Sequence, residues 1–242
     1  MMAKYWNETQ YYEQPTAEEI KRRSNETKKR EKSKGKELHP VIIQGRNIVK
    51  NWWGVAWCNN LERYADYESR IDRGKRYVRT GAVIDLKIEK GKILARVQGT
   101  RKAPYKTEIR ISPLSEERCQ QIISKCGRKL ENVEELLAGR FPEEMKELFC
   151  GKDGLFPTPR EISFTCSCPD WALMCKHVAA VLYGVGARLD SDPMLFFNLR
   201  GIDVDHFIDV TLANKVESML ANINAPSRRI MEGDVSGLFG VC

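Results

Sequence analysis

The chain of 242 residues has no stretch near the roughly 18 consecutive apolar residues that a membrane-spanning helix needs. Residues 1–14 hold no apolar run of the signal-peptide kind, so no secretory signal is expected, and the expected location is the cytoplasm (nucleoid-associated if bacterial). Histidine is scarce, with three in the whole chain, and no nucleophile–base pair can be recognised, which argues against an enzyme. A GxxxxGK[ST] phosphate loop is missing, so the chain is not expected to be an ATPase itself. There is no internal repeat. Eight cysteines in a chain of this length, rich in core formers, do not make a secreted disulfide framework. Cys58, Cys119, Cys126 and Cys150 instead read as small buried hydrophobes.

What the chain does have is charge, unevenly placed. Residues 1–115 hold 26 Lys and Arg against 14 Asp and Glu, a net of +12, whereas residues 116–242 are net −5. An electropositive half of this size suits a polyanionic partner, although surface charge also serves solubility. Residues 16–37 are nearly all polar or charged and read as a flexible or marginally helical segment.

From Val41 onward the pattern is that of a folded protein. Trp52, Trp53 and Trp57, with Leu61, Tyr64 and Ala65 following at helical spacing, are expected to be core anchors. Three period-two runs follow: Ile84/Leu86/Ile88, Ile93/Ala95/Val97 and Tyr105/Thr107/Ile109/Ile111. They alternate with charged residues and are separated by turn signals, so they predict an antiparallel meander with one buried face. The opposite face, together with the flanking basic clusters, supplies the phosphate-binding candidates: Arg73, Lys75, Arg76, Arg79, Arg96, Arg101, Lys102, Lys106 and Arg110. An ordinary solvated face is the alternative. After Ser112 the period becomes helical, with helices expected through Cys119–Cys126 and over 131–138 and 142–149.

The densest chemistry lies in TCSCPDWALMCKHVAA. A short strand, Ile162 to Thr165, delivers Cys166 and Cys168, and in extended chain residues i and i+2 project to the same side. Cys175 and His177 follow at the start of an apolar-striped helix. Three thiolates and an imidazole suit one tetrahedral Zn²⁺, do not suit Mg²⁺ or Ca²⁺, and leave no coordination position for substrate, so the expected ion is structural. Trp171, between the ligands, either packs on the site or presents a ring to a partner, with packing favoured.

The order CxC–x6–CxH at Cys166, Cys168, Cys175 and His177, followed by Val-Ala-Ala-Val-Leu-Tyr183, resembles the SWIM zinc finger. Further features are similar to bacterial SWIM-finger proteins encoded with Snf-type DNA translocases: Trp52-Trp-Gly54 with Trp57, Leu61-Glu62-Arg63-Tyr64, Arg73-Gly74-x-Arg76-Tyr77, Val97-Gln98-Gly99, Pro104-Tyr105 and LFFNLRGID at 195–203. The likeness covers roughly residues 50–215. It implies one bound zinc and a place in DNA transactions, by contact with DNA or by docking a Snf-type helicase or other DNA-processing protein. It does not imply catalysis. Residues 160–190 carry three basic and three acidic side chains. A neutral finger is a poor phosphate reader, so nucleic acid is expected to meet the N-terminal half.

The expected fold is α+β: a small antiparallel sheet unit, a helical middle, a ββα-like finger and a helical C-terminal region. The expected segments are 1–40 (charged, partly flexible), 41–112 (Trp-rich helix and meander), 113–159 (helical), 160–190 (finger) and 191–242 (helical, with an apolar tail at 235–241). The expected function is that of a non-enzymatic, zinc-binding, nucleic-acid-binding accessory factor. The alternative is a protein-interaction adaptor. No membrane and no small-molecule substrate are expected.

Overall fold

The computed structural model describes residues 15–129, 141–151 and 154–224. The helix expected over 131–138 and the tail at 235–241 lie outside the described residues, as does the side chain of Cys126. The α+β class is borne out. One antiparallel sheet, β1 (Val83–Glu89), β2 (Lys92–Val97), β3 (Tyr105–Ile111) and β4 (Ile162–Cys166), is flanked by helices. The period-two runs form β1–β3 as their patterning requires, with Ile93, Ala95, Val97, Ile109 and Ile111 buried on one face. The finger's own strand, β4, pairs with β3 in the register Thr107 opposite Cys166 and Ile109 opposite Phe164. The finger thus supplies the fourth strand of the sheet.

Across the buried face lies α6 (Lys176–Ser191), packed between the sheet and two earlier helices, α2 (Trp52–Glu62) and α3 (Glu68–Arg79). Its residues are buried nearly all round, as a helix covered on several sides must be. Trp57 is fully buried, and its indole N–H donates to the Leu182 carbonyl at 3.1 Å. Trp53 donates to Leu189 O at 2.9 Å and Trp52 to Phe141 O at 2.9 Å. Each ring therefore brings its own donor satisfied into the core, the condition for burying tryptophan. α3 turns Ile71, Gly74, Tyr77 and Val78 toward α6. At Gly74 the helices approach so closely that a Cβ there would sit 2.5 Å from the Cβ of Ala179 and 3.0 Å from backbone atoms of Ala179 and Ala180.

Two features depart from the sequence expectations. Residues 16–37, expected to be flexible or marginally helical, hold a regular helix, α1 (Ala17–Lys32), closed at its start by a reciprocal cap in which Thr16 Oγ1 accepts from Glu19 N and Glu19 accepts from Thr16 N. Ile20, Ser24, Thr27 and Glu31 form its buried face. Thr27 donates to Gln98 at 2.8 Å, Arg23 donates to the Thr100 carbonyl, and Glu31 pairs with Arg96 at 2.9 Å. The helix is held by polar contacts with partners 65 or more positions away, which its local composition does not reveal. Cys150, expected to be buried, is exposed at the end of α5 (Lys146–Cys150), whereas Cys58 is buried and its thiol is pushed up to about 12 by desolvation.

The C-terminal part continues as α7 (Leu195–Leu199) and α8 (Val204–Asn224), with α8 against α4 (Glu116–Lys129). Arg200 is fully buried, pairs with Glu161 at 2.6 Å and donates to Ser112 O at 2.7 Å, which joins the end of α7 to the entrance of β4. Among the described residues, no helix is long and apolar enough to cross a membrane.

Candidate metal centre and its basic rim

The four sequence-predicted ligands come together. The sulfur atoms of Cys166, Cys168 and Cys175 and a ring nitrogen of His177 all lie within 4.8 Å of one another. Cys166 ends β4, Cys168 follows in the turn, Cys175 is the N-cap of α6, and His177 stands in that helix's first turn. His177 Nδ1 is 3.9 Å from Cys166 Sγ and 4.0 Å from Cys175 Sγ. A tetrahedral ion with metal–sulfur bonds of about 2.3 Å and a metal–nitrogen bond of about 2.05 Å has S···N edges of roughly 3.6 Å. These two S···N edges therefore need to contract by only a few tenths of an ångström. The donor set fits zinc: three soft sulfurs, one imidazole and no carboxylate.

The electrostatics agree. Burial holds the His177 imidazole below its ordinary pKa, which favours the neutral ring that a metal ligand must be. The Cys166 thiol is lowered to about 3 by hydrogen bonds from Cys168 and Cys175, while Cys175 is pushed up by the hydrogen bonds it gives to Cys166 and Cys168, then by burial and by the Cys166 charge. Sulfurs so close cannot all ionise without a cation between them. Thr107 Oγ1 donates to Cys166 Sγ at 3.6 Å from the facing position on β3. Lys176 stands between Cys175 and His177 and offsets the net negative charge of a Cys₃His–dication site.

Residues outside the motif fix its geometry. Tyr105 stacks on His177 with centroids 4.3 Å apart, and Tyr77 meets the same ring edge-on at 5.5 Å. Gly99 sits against both rings; a Cβ there would lie 2.6 Å from Tyr105 and 3.2 Å from His177 Nε2. That nitrogen is buried and has no hydrogen-bond partner among the described residues, whereas Nδ1 faces the sulfurs of Cys166 and Cys175 and is the atom placed to ligate. The loop between the ligand pairs is clamped from α3 and the turn before it. Arg70 grips Asp170 through Nε at 3.1 Å and Nη2 at 3.2 Å, and Asp66 accepts from Leu173 N at 2.8 Å and Met174 N at 3.3 Å. Sequence reasoning assigned no chemistry to Gly99, Tyr105, Asp66 or Arg70; Val97-Gln98-Gly99 and Pro104-Tyr105 were the signals available.

The phosphate-binding candidates divide. Lys75 pairs with Glu62 at 3.0 Å and stands 5.3 Å over the Tyr183 ring. Arg96 is covered by α1 and paired with Glu31, and Arg110 pairs with Glu108 at 2.6 Å. These three charges are compensated. Arg79, Arg101, Lys102 and Lys106 are exposed, and Arg73 and Arg76 are half-buried. Two of these cations adjoin residues of the metal centre. Arg101 lies 5.3 Å from the centre of the Tyr105 ring, which stacks on His177. Lys106 is bonded through its backbone to Ser167, inside the CxC turn. Arg76 reaches Pro15 O at the start of α1, whose Arg23 and Arg30 cap the carbonyls of Thr100 and Lys102. Trp171, expected to pack on the site, is 82% exposed.

Comparison with known proteins agrees with the site. Residues 164–185 match the SWIM zinc finger family. The uncharacterized protein Rv2102 of Mycobacterium tuberculosis (strain ATCC 25618 / H37Rv) is 35% identical over 156 residues, which cover 64% of this chain and 56% of that protein. The chain thus spans little more than half the length of this relative. No solved structure matches. Residues 164–185 form a SWIM zinc-finger motif, and its three cysteines and one histidine make a cluster able to coordinate a metal ion.

Proposed function

We propose that the protein is a non-catalytic accessory factor in DNA transactions. One zinc ion held by Cys166, Cys168, Cys175 and His177 organises the finger, and nucleic acid is bound on the adjacent basic rim. Four protein donors fill a tetrahedral ion, so the metal's work is structural. The observation that carries the reading is a set of cations that make no ion pair among the described residues and that stand on elements adjoining this centre. Arg101, Lys102 and Lys106 come from the β2–β3 side, Arg73 and Arg76 from α3, and Arg23 and Arg30 from α1. The neutral finger then supplies rigidity and its neighbours supply charge. The partner that fits the sequence likeness is a Snf-type helicase or another DNA-processing protein.

The test is equilibrium binding of single- and double-stranded DNA across a salt series. The protein should bind at low salt and weaken steeply as salt rises, because each neutralised phosphate releases condensed counterions. Neutralising Arg73, Arg101, Lys102 and Lys106 together should lower the slope of log K against log salt by roughly 3 to 4. No affinity at low salt overturns the reading. It would favour the second reading, an adaptor that docks a helicase without touching DNA. The exposed Leu212, Val216, Met219 and Leu220 on α8 are the feature that supports this second reading.

A further inference from the structure

The nucleic-acid reading leaves Trp171 unused. A tryptophan offers one of the largest burial gains of any side chain, yet this ring is 82% exposed, and Leu173, two residues on, is 64% exposed. A loose loop does not explain this exposure. The backbone on both sides of the ring is clamped, by the two-point Arg70–Asp170 pair, by Ala172 N donating to Asp170 at 3.3 Å, and by Leu173 N and Met174 N donating to Asp66. The loop also lies between ligands Cys168 and Cys175, so the metal would hold it at both ends. The ring is presented from a rigid mount.

Trp171 has an aromatic neighbour. Tyr67, itself exposed, meets it edge-on with centroids 5.8 Å apart and planes at 88°. Arg70 stands 5.9 Å over the Tyr67 ring, and Arg73 follows one helical turn along α3. Exposed rings interleaved with cations are the arrangement that grips a single strand: the rings take the π-faces of unpaired bases and the cations track the phosphates. A duplex keeps its base faces stacked inside and offers a projecting indole nothing to cover.

We propose that Trp171, braced by Tyr67, is a stacking platform for an unpaired base of single-stranded DNA or RNA, with Arg73 beside it for a flanking phosphate, while Arg70, whose charge is compensated by Asp170, holds the mount. This rests on the nucleic-acid reading above and names the ligand class. The experiment measures binding of oligo(dT), oligo(U) and a DNA duplex, each of about 12 nucleotides or base pairs, to the full chain and to Trp171→Ala and Trp171→Phe. Trp171→Ala should weaken both single strands by roughly tenfold and leave the duplex unchanged. The salt slope should be unaltered because no charge is removed. Trp171→Phe should keep most of the affinity. The strand held more tightly by the unaltered protein identifies the source, DNA or RNA. Thermal melting of both variants should match that of the unaltered chain, since the ring is hardly buried.

If Trp171→Ala binds single strands as well as the unaltered protein does, while neutralising Arg73, Arg101, Lys102 and Lys106 abolishes binding, the platform is wrong and the basic rim stands. An equal loss for duplex and single strand also overturns it. If the unaltered chain binds no strand at low salt, the rim reading falls and the platform falls with it.

Discussion

The contact at Gly74 offers a test of how packing far from the sulfurs sets the metal centre. α6 carries Cys175 and His177, and its position over the sheet is fixed largely by α3. Replacing Gly74 by alanine puts a methyl group 2.5 Å from Ala179 Cβ and 3.0 Å from helix backbone, against an ordinary contact of at least 3.4 Å. Neither neighbour is the end of a flexible side chain, so the helices must part by about 1 Å at the crossing. Overpacking of a close-packed core costs about 1–3 kcal/mol, and the upper part of that range, about 2–3 kcal/mol, applies here because the whole crossing loses contact. Alanine recovers about 1 kcal/mol through its better helix propensity. The expected net loss is about 1–2 kcal/mol, or roughly 2–8 °C in Tm for a chain of this size. Gly74→Val gains less from propensity and should lose more. The same shift tilts α6 against β4, so metal retention against a competing chelator should fall with Tm. The assay is thermal unfolding by circular dichroism, paired with zinc release followed by a colorimetric chelator. If Gly74→Ala melts at the same temperature or higher with unaltered zinc retention, the claim that this crossing places the ligands is refuted.

Three further outcomes are expected. Stripping the metal with a strong chelator should open residues 166–177 to proteolysis and lower Tm, because structural zinc contributes on the order of 10–16 kcal/mol of apparent binding energy to folding; unchanged melting after verified metal loss would contradict the site. Glu31 is held down to about 2 by Lys36 and Arg96, so its contribution is present above its ordinary pKa of 4.5 and is lost as pH falls from there toward 2; hydrogen exchange of α1 amides should rise over that window, and Glu31→Gln should raise exchange at neutral pH and flatten the acid response. Arg200→Ala should destabilise by about 3–5 kcal/mol, because it leaves the Glu161 carboxylate without its buried partner; a loss under 1 kcal/mol in denaturant titration would show that Arg118, 3.7 Å away, takes over the pairing.

Periodicity and ligand spacing made much of this molecule legible in advance. Alternating residues from Ile84 to Ile111 declare a half-buried meander because side chains in a strand change face at every step. CxC–x6–CxH declares its own chemistry, because sulfur and imidazole so close together have few other uses. What escaped was held by contacts distant in sequence. α1 has Ile20 as the sole apolar member of its buried face, and its anchors, Arg96, Gln98 and Thr100, come from the end of β2. The partner of β4 could not be read from Ile162–Cys166, because a five-residue strand carries no address; the ladder with β3 gives it one. Trp171 escaped for a different reason. Aromatic residues are normally buried, and the loop that presents this one is held by Asp66 and Arg70, about a hundred positions upstream.

The ladder between β3 and β4 also decides how the molecule can come apart. Because the first ligand strand is stitched along its length to the meander, the finger has no hinge of its own, and residues 160–190 expressed alone would expose a bare strand edge along with the apolar underside of α6. Loss of the ion would therefore be felt beyond the knuckle, along shared backbone bonds into the layer that carries Arg101, Lys102 and Lys106. Oxidation of the thiols would act the same way, carrying a change at the sulfurs into the loop between β2 and β3.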